Sequence, residues 1–148
     1  MSEVVPAGNN VLHIHRVMVS GGPIRGGCLA IIHQNTLPIL VHPLGSVSPP
    51  SKHERQIVRI VGVGTSSAVT VVNIFRPPSG SIPEFLIELG DFLATLISSS
   101  TDRLILCSNY NCPGDDSNCF DDSLQGVLDS FGLVLPSMNQ RIPAISST

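Results

Sequence analysis

Short apolar runs separated by glycine and proline divide the first half of the chain into predicted β-strands. Residues 11–16 alternate between apolar and polar side chains, which is the pattern of a half-buried strand. The later runs are more continuous and predict buried strands, because turn-forming residues bound each of them. The predicted strands cover residues 11–16, 27–33, 37–42, 56–61 and 68–75.

A long helix is predicted directly after the last of these strands. Ser81 and Glu84 have the spacing of a capping box, and Pro83 lies in the first turn, where its missing N–H costs nothing. Apolar residues then recur at the three- and four-residue intervals of one helical face. They are Ile82, Phe85, Leu86, Leu89, Phe92, Leu93 and Leu96.

The remaining elements complete the predicted order. Residues 103–107 form a short buried strand, and residues 111–120 form a long polar loop. Asp121 or Asp122 caps a second helix, which Gly132 ends. The apolar residues of this helix share one face: Leu124, Val127, Leu128 and Phe131. A run of strands followed by strand, helix, strand and helix predicts an α/β fold, a mixed α+β sandwich. We expect residues 1–135 to form one partial domain and residues 136–148 to form a frayed tail.

Composition narrows the class of protein. The chain has 148 residues, of which 42% are hydrophobic and 13% are charged, so it can bury a core and is not a disordered polymer. No apolar run approaches the roughly 18 residues of a membrane span, so no membrane association is expected. The first residues have neither a basic segment nor a long apolar stretch. We therefore expect an intracellular protein of the nucleus or cytoplasm that is not secreted.

The charge distribution and the cysteine spacing give little indication of a phosphate-binding or zinc-binding site. Residues 1–80 carry a net charge of +4 and residues 81–148 a net charge of −7, counting lysine and arginine against aspartate and glutamate. A basic half could face phosphates, although scattered solvated charges explain the same count. The four cysteines lack the close pairs of a structural zinc site, and reduced thiols are expected in an intracellular protein.

Two strand ends are the strongest candidates for a functional site. Residues 71–78 and residues 104–114 each begin as an apolar run and end abruptly in polar and turn-forming residues. In an open α/β sheet, sites are built where the strands end. Asn73, Phe75 and Arg76 lie at the first end, and Asn109 and Asn111 lie at the second.

The order of four segments resembles the endonuclease of LINE-type (non-LTR) retrotransposons, a branch of the endonuclease/exonuclease/phosphatase superfamily. The segments are residues 25–33, residues 71–78, the helix over 85–96, and residues 104–114 followed by Asp121-Asp122-x-Leu124. The resemblance covers roughly residues 4–135. It implies a four-layer α/β sandwich, of which this chain would be an internal piece, and Mg²⁺-dependent cleavage of a DNA phosphodiester.

The resemblance also implies roles for the two strand ends. The family's first motif is N-x-Tyr-x-P, so Asn73 is matched and Phe75 replaces the tyrosine whose hydroxyl lies by the scissile phosphate. Its second motif ends in Asp-x-Asn. Asn109 therefore replaces the aspartate that orients and deprotonates the attacking water, and Asn111 matches the asparagine that contacts the phosphate or positions the nucleophile.

Phosphate and metal binding are less completely matched. The resemblance and the glycines beside it make Arg25 a candidate phosphate ligand, and Arg76 is a second candidate. The family's metal-binding glutamate and its Ser-Asp-His segment have no match in these residues, so the metal ligands are unknown. Three hypotheses remain open: a retrotransposon endonuclease fragment that is impaired or inactive, an active metal-dependent nuclease, or a non-catalytic nucleic-acid-binding module.

Overall fold

The computed structural model describes residues 5–14, 29–45, 53–62, 68–78, 80–110 and 117–134. The predicted tail over residues 136–148 therefore lies outside the described residues. None of the described helices is both long and apolar enough to cross a bilayer. The elements, in chain order, are β1 (Asn9–Ile14), β2 (Leu29–Gln34), β3 (Ile39–Val41), a 3₁₀ turn (Pro43–Gly45), β4 (Glu54–Ile60), β5 (Val69–Phe75), α1 (Ile82–Ser99), β6 (Arg103–Asn109) and α2 (Ser117–Ser130).

The strands form two sheets of unequal width. One sheet has four strands in the order β3-β4-β5-β6, and the other contains β1 and β2. All neighbouring strands are antiparallel except β5 and β6, which are parallel. A parallel pair needs a crossover connection, and α1 supplies it. The predicted run of strands followed by a strand–helix–strand unit is confirmed.

One face of the four-stranded sheet is covered by the two helices. Alternation along β5 turns Val72 and Ile74 toward the helices, and both are completely buried. Five residues of the predicted apolar face of α1 are buried against them. Leu124 and Leu128 of α2 join the same core, so the periodicity of both helices correctly predicted their buried faces.

The other face of the sheet is covered only in part. Gln56 Nε2 donates a hydrogen bond of 2.9 Å to the Leu12 carbonyl, which ties β4 to β1. Val58, on the same face of β4, is buried, whereas Ile105 of β6 is 49% exposed. The two-stranded sheet therefore lies over β4 and β5 and leaves β6 uncovered among the described residues. The result is a three-layer arrangement of helices, wide sheet and narrow sheet.

Two predicted helix starts are wrong in detail. Ser81 is the N-cap of α1, but its side chain makes no capping hydrogen bond, so the predicted capping box does not form. The backbone carbonyl of Ser81 instead accepts the first helical hydrogen bond, from Phe85 at 3.0 Å. The second helix begins at Ser117, so Asp121 and Asp122 lie inside it and not at its predicted start.

The predicted end of the second helix is confirmed. Gly132 has a φ of 67°, a left-handed conformation that glycine adopts without the strain a side chain would cause. The Leu133 N–H donates to the Leu128 carbonyl and the Gly132 N–H donates to the Asp129 carbonyl, both at 3.0 Å. This pair of bonds is a Schellman motif and satisfies carbonyls that the helix end would leave unpaired.

An ion pair between Arg59 of β4 and Asp102 holds the start of β6 against the sheet. The Arg59 guanidinium donates two hydrogen bonds to the Asp102 carboxylate, at 2.6 and 3.1 Å, and the Thr70 hydroxyl donates a third at 3.1 Å. The hydrogen bond from Arg59 is the main reason that the pKa of Asp102 is lowered from 3.8 to about 2. Because Asp102 lies between α1 and β6, the contact sets where the parallel strand starts.

At acid pH this ion pair should no longer contribute to the free energy of unfolding. A carboxyl group whose pKa is lowered by folding stabilises the fold above its unfolded pKa, and the contribution is lost as pH falls from about 4 toward 2. We expect Asp102→Asn to remove that part of the acid loss, measured by urea unfolding across a pH series. Asp91→Asn, at an exposed position of α1, is the matched control and should retain the loss. If the free energy of unfolding falls with pH equally in the wild type and in Asp102→Asn, the acid loss does not come from the Asp102 carboxylate.

Candidate functional site

The two strand ends that the sequence singled out lie side by side. Because β5 and β6 are parallel neighbours, their carboxyl ends meet at the same edge of the sheet. Phe75 is the register partner of Asn109, and Asn73 is the partner of Cys107. The Arg76 N–H donates to the Asn109 carbonyl at 3.1 Å and extends the ladder beyond Phe75. Asn109 is thus the last residue of a strand that runs two residues further than predicted.

The side chains at these ends differ in exposure. Asn109 is exposed, while Phe75 and Asn73 are half-buried and lie on the face of the sheet that the β1–β2 layer partly covers. Asn73 Nδ2 makes a long contact of 3.5 Å with the Ala30 carbonyl. The structure therefore brings Asn73, Phe75 and Asn109 together. Arg25 and Asn111 lie outside the described residues, so their predicted roles stay predictions.

Arg76 has a structural role that the sequence did not reveal. Its side chain is only 1% exposed. Nε donates to the Tyr110 carbonyl at 2.7 Å, and Nη1 donates to the carbonyls of Gly80 at 2.7 Å and Pro77 at 3.3 Å. The guanidinium thus joins the end of β5, the turn before α1 and the exit of β6. Its predicted phosphate contact stays a prediction.

Two further polar residues belong to the same rows, and the sequence analysis missed them. Glu54 of β4 is the register partner of Phe75, and Gln56 is the partner of Asn73. Antiparallel partners share a face, so a continuous row runs from Glu54 through Phe75 to Asn109. Only the β4–β5 register places Glu54 there, because no local motif surrounds it in the sequence.

The donors in these rows do not fit a Mg²⁺ ion. Mg²⁺ prefers carboxylate oxygens in near-octahedral geometry, and here the rows supply the Glu54 carboxylate and neutral amides. Glu54 and Asn109 lie on strands two apart, so their backbones are separated by about 10 Å with the Phe75 ring between them. Within the described residues, no group of three or more histidine, cysteine or acidic side chains is placed to hold a metal.

A shallow surface pocket occurs at the opposite end of the sheet. It has a volume of about 350 Å³ and is lined by Arg59, Asp102 and the residues from Ile97 to Thr101. Asp102 precedes the start of β6, whereas Asn109 ends that strand, so the pocket and the candidate site are separated by the whole strand. The pocket is built around the Arg59–Asp102 ion pair and contains none of the predicted site residues.

Comparison with known proteins shows the fold. Among solved structures, the endonuclease domain of TRAS1, a telomere-specific non-LTR retrotransposon, is similar to this chain, with a TM-score of 0.55 and 18% sequence identity. The match covers 84% of this chain and 53% of that chain, so this chain spans about half the length of the solved domain. No family model and no curated protein sequence matches. The predicted α/β fold with a mixed sheet is confirmed, and this chain shares it with the solved domain over the matched part.

Proposed function

We propose that this chain derives from a Mg²⁺-dependent DNA endonuclease of a non-LTR retrotransposon and does not cleave DNA as it stands. The observation that carries the proposal is the pairing of Phe75 with Asn109 at the carboxyl ends of two parallel strands. The resemblance assigns these two positions to the family's tyrosine and aspartate, and a phenyl ring and an amide cannot perform the proton chemistry of those residues.

Phe75 and Asn109 have nearly the same shapes as the tyrosine and aspartate of the family. What the two replacements remove is the ability to donate or accept a proton. A phenyl ring in place of a phenol keeps the ring and removes the hydroxyl donor. An amide in place of a carboxylate keeps the outline and can neither accept a proton from water nor carry negative charge toward a metal. Losing a general base costs about 10²–10⁴-fold in rate, and losing the hydroxyl adds to that without being strictly additive.

The position of Arg76 also favours an inactive derivative. Of the two candidate phosphate ligands, Arg76 is the one that the structure describes, and its guanidinium is turned inward onto the carbonyls of Tyr110 and Gly80. A phosphate beside Phe75 and Asn109 would have to compete with these backbone carbonyls for the arginine.

The test is a plasmid-nicking assay with Mg²⁺, in which the wild-type chain should leave supercoiled DNA intact. The TRAS1 endonuclease domain, assayed in parallel, serves as the positive control. Circular dichroism should show that the chain tested is folded, so that an absence of nicking reports on chemistry. Mg²⁺-dependent nicking that Asn109→Ala or Phe75→Ala abolishes would refute the proposal and establish an active site at this position.

A repaired variant gives a sharper test. Phe75→Tyr combined with Asn109→Asp restores both family side chains at the row, yet we expect no nicking. The family also requires a glutamate ligand and a Ser-Asp-His segment, and no Ser-Asp-His occurs in these 148 residues. If the double variant nicks DNA, the two substitutions alone silence the enzyme, and the rest of its machinery is intact.

A further inference from the structure

The shallow pocket at the start of β6 contains an arginine whose hydrogen-bonding capacity the fold uses only in part. The Arg59 guanidinium donates to the Asp102 carboxylate through Nε and through one N–H of Nη2. Both N–H groups of Nη1 and the second N–H of Nη2 have no acceptor among the described residues. Because the Arg59 side chain is 42% exposed and lines the pocket, a ligand can reach this free edge of the guanidinium.

Asp102 holds the guanidinium in one orientation. The Asp102 side chain is only 9% exposed, and its carboxylate also accepts a hydrogen bond from the Thr70 hydroxyl at 3.1 Å. The Asp102 N–H donates to Ser100 Oγ at 3.1 Å, which fixes the turn from α1 into β6. A guanidinium anchored along one edge presents its other edge as a planar pair of donors, and little side-chain entropy remains to be lost on binding.

Thr101 adds a hydroxyl donor to the same pocket. It is exposed, lies between α1 and β6, and makes no side-chain hydrogen bond in the part of the chain that the structure describes. The hydroxyls of Ser98 and Ser99, which also line the pocket, instead donate to backbone carbonyls within α1. The remaining donors are the free edge of Arg59 and the Thr101 hydroxyl, so the pocket suits a ligand rich in acceptor oxygens.

The end of α1 opposes an anion in part. Carbonyl groups at a helix end carry partial negative charge, and the last turn of α1 contains no basic residue. The Ser99 hydroxyl satisfies one of these groups, the Leu96 carbonyl, at 2.8 Å. The charges of Arg59 and Asp102 cancel at long range, so affinity has to come from hydrogen bonds made at short range. We therefore expect a dissociation constant on the order of 1 mM.

We propose that this pocket binds a phosphate monoester through the free edge of Arg59 and the Thr101 hydroxyl. A guanidinium fork donates to two phosphate oxygens at once, and a monoester has a further terminal oxygen for the hydroxyl. A phosphodiester or a carboxylate has only the oxygens that the fork occupies. The pocket volume of about 350 Å³ leaves room for the organic group of a small monoester. The site lies a whole strand away from Asn109 and is independent of the proposed loss of nuclease activity.

Titration of the full chain with methyl phosphate, followed by NMR of the backbone amides at constant ionic strength, tests the site. The amide signals of Thr101 and Asp102 should shift and saturate with a dissociation constant on the order of 1 mM. Dimethyl phosphate and acetate should bind at least about fivefold more weakly, because each leaves the Thr101 hydroxyl without an acceptor. The absence of a saturable shift with methyl phosphate would overturn the proposal, as would equally tight binding of acetate or dimethyl phosphate.

Three variants assign the binding to these donors. Arg59→Lys keeps a positive charge beside Asp102 without the planar fork and should weaken methyl phosphate binding at least about tenfold. Thr101→Val should weaken it about two- to tenfold, and it leaves the ion pair intact if Arg59→Lys fails to fold by circular dichroism. Arg103→Gln is the matched control, because this exposed arginine lies on the opposite face of the sheet from Arg59. If Arg103→Gln weakens binding as much as Arg59→Lys, general attraction of anions explains the binding and the assigned site is wrong.

Discussion

Replacing Arg76 with methionine should lower the free energy of unfolding by about 3–5 kcal/mol. The guanidinium donates three hydrogen bonds to backbone carbonyls in a place where its side chain is 1% exposed. Methionine fills much of the volume and leaves those acceptors without their donor. Hydrogen bonds from charged groups are worth more than neutral ones, and the short bonds to Tyr110 and Gly80 dominate the effect. Urea unfolding followed by circular dichroism measures it.

A matched arginine separates this effect from the loss of a positive charge. Arg103→Met removes an exposed arginine from β6 and should change stability by no more than about 0.5 kcal/mol. Arg76→Lys tests geometry, since one ammonium cannot reproduce the fork that spans the carbonyls of Tyr110 and Gly80. It should lose at least half of the wild-type contribution. A stable Arg76→Met variant would mean that the arginine is held for binding, as the sequence suggested, and not for the fold.

Acidification from pH 6.5 to 4 should cost this chain up to roughly 3 kcal/mol of stability through His53 alone. The imidazole is 2% exposed and packs edge-on against Phe85 and beside Phe92. Burial is the main cause that lowers the pKa of His53 from 6.5 to about 4; Glu88, 3.7 Å from Nδ1, opposes the shift, and Arg55 adds to it.

The direction of the pH effect follows from proton binding. The unfolded chain protonates His53 first, so stability is complete above about 6.5 and falls as pH drops toward 4. His53→Leu replaces the ring with an apolar side chain of similar volume. Between pH 6.5 and 4 its free energy of unfolding should change less than that of the wild type, whether the variant itself is more or less stable. Urea unfolding at a series of pH values measures the slope.

Two variants control the assignment to His53. His13→Leu removes an exposed imidazole from β1 and should keep the acid loss. Glu88→Gln removes the group that favours the protonated ring, so it should lower the pKa of His53 further and move the end of the loss to lower pH. An unchanged slope in His53→Leu would assign the acid sensitivity to another group.

The local elements were largely predictable because their signals are local. The apolar spacing from Ile82 to Leu96 predicted the helix face that the structure buries, and Gly132 correctly marked the end of α2. Where local signals compete, the prediction failed. Asp121 and Asp122 are typical capping residues, yet α2 continues through them from Ser117, and Ser81 caps α1 without using its hydroxyl. The capping preference of a residue type shows where a helix could start, and contacts with the rest of the fold decide where it does start.

In the candidate site, too, the local sequence predicted the residues, and the pairing of strands decided how they are arranged. Asn73, Phe75 and Asn109 were identified from two separate motifs, and the parallel pairing of β5 with β6 brings them into neighbouring rows. Glu54 was missed because only the register of β4 against β5 places it beside Phe75. Arg76 was predicted as a phosphate ligand, and its burial depends on carbonyls from two segments, the turn before α1 and the end of β6.

The sequence by itself determined the type and order of the elements and the apolar faces of the helices. It also determined the side chains at the two strand ends, and with them the absence of a hydroxyl at Phe75 and of a carboxylate at Asn109. These properties depend on neighbouring residues and on covalent structure. Tertiary structure alone decided which rows those side chains share, and that Arg76 joins the turn before α1 to the end of β6. Each of these depends on contacts between segments distant in the chain, which periodicity and local propensity do not encode.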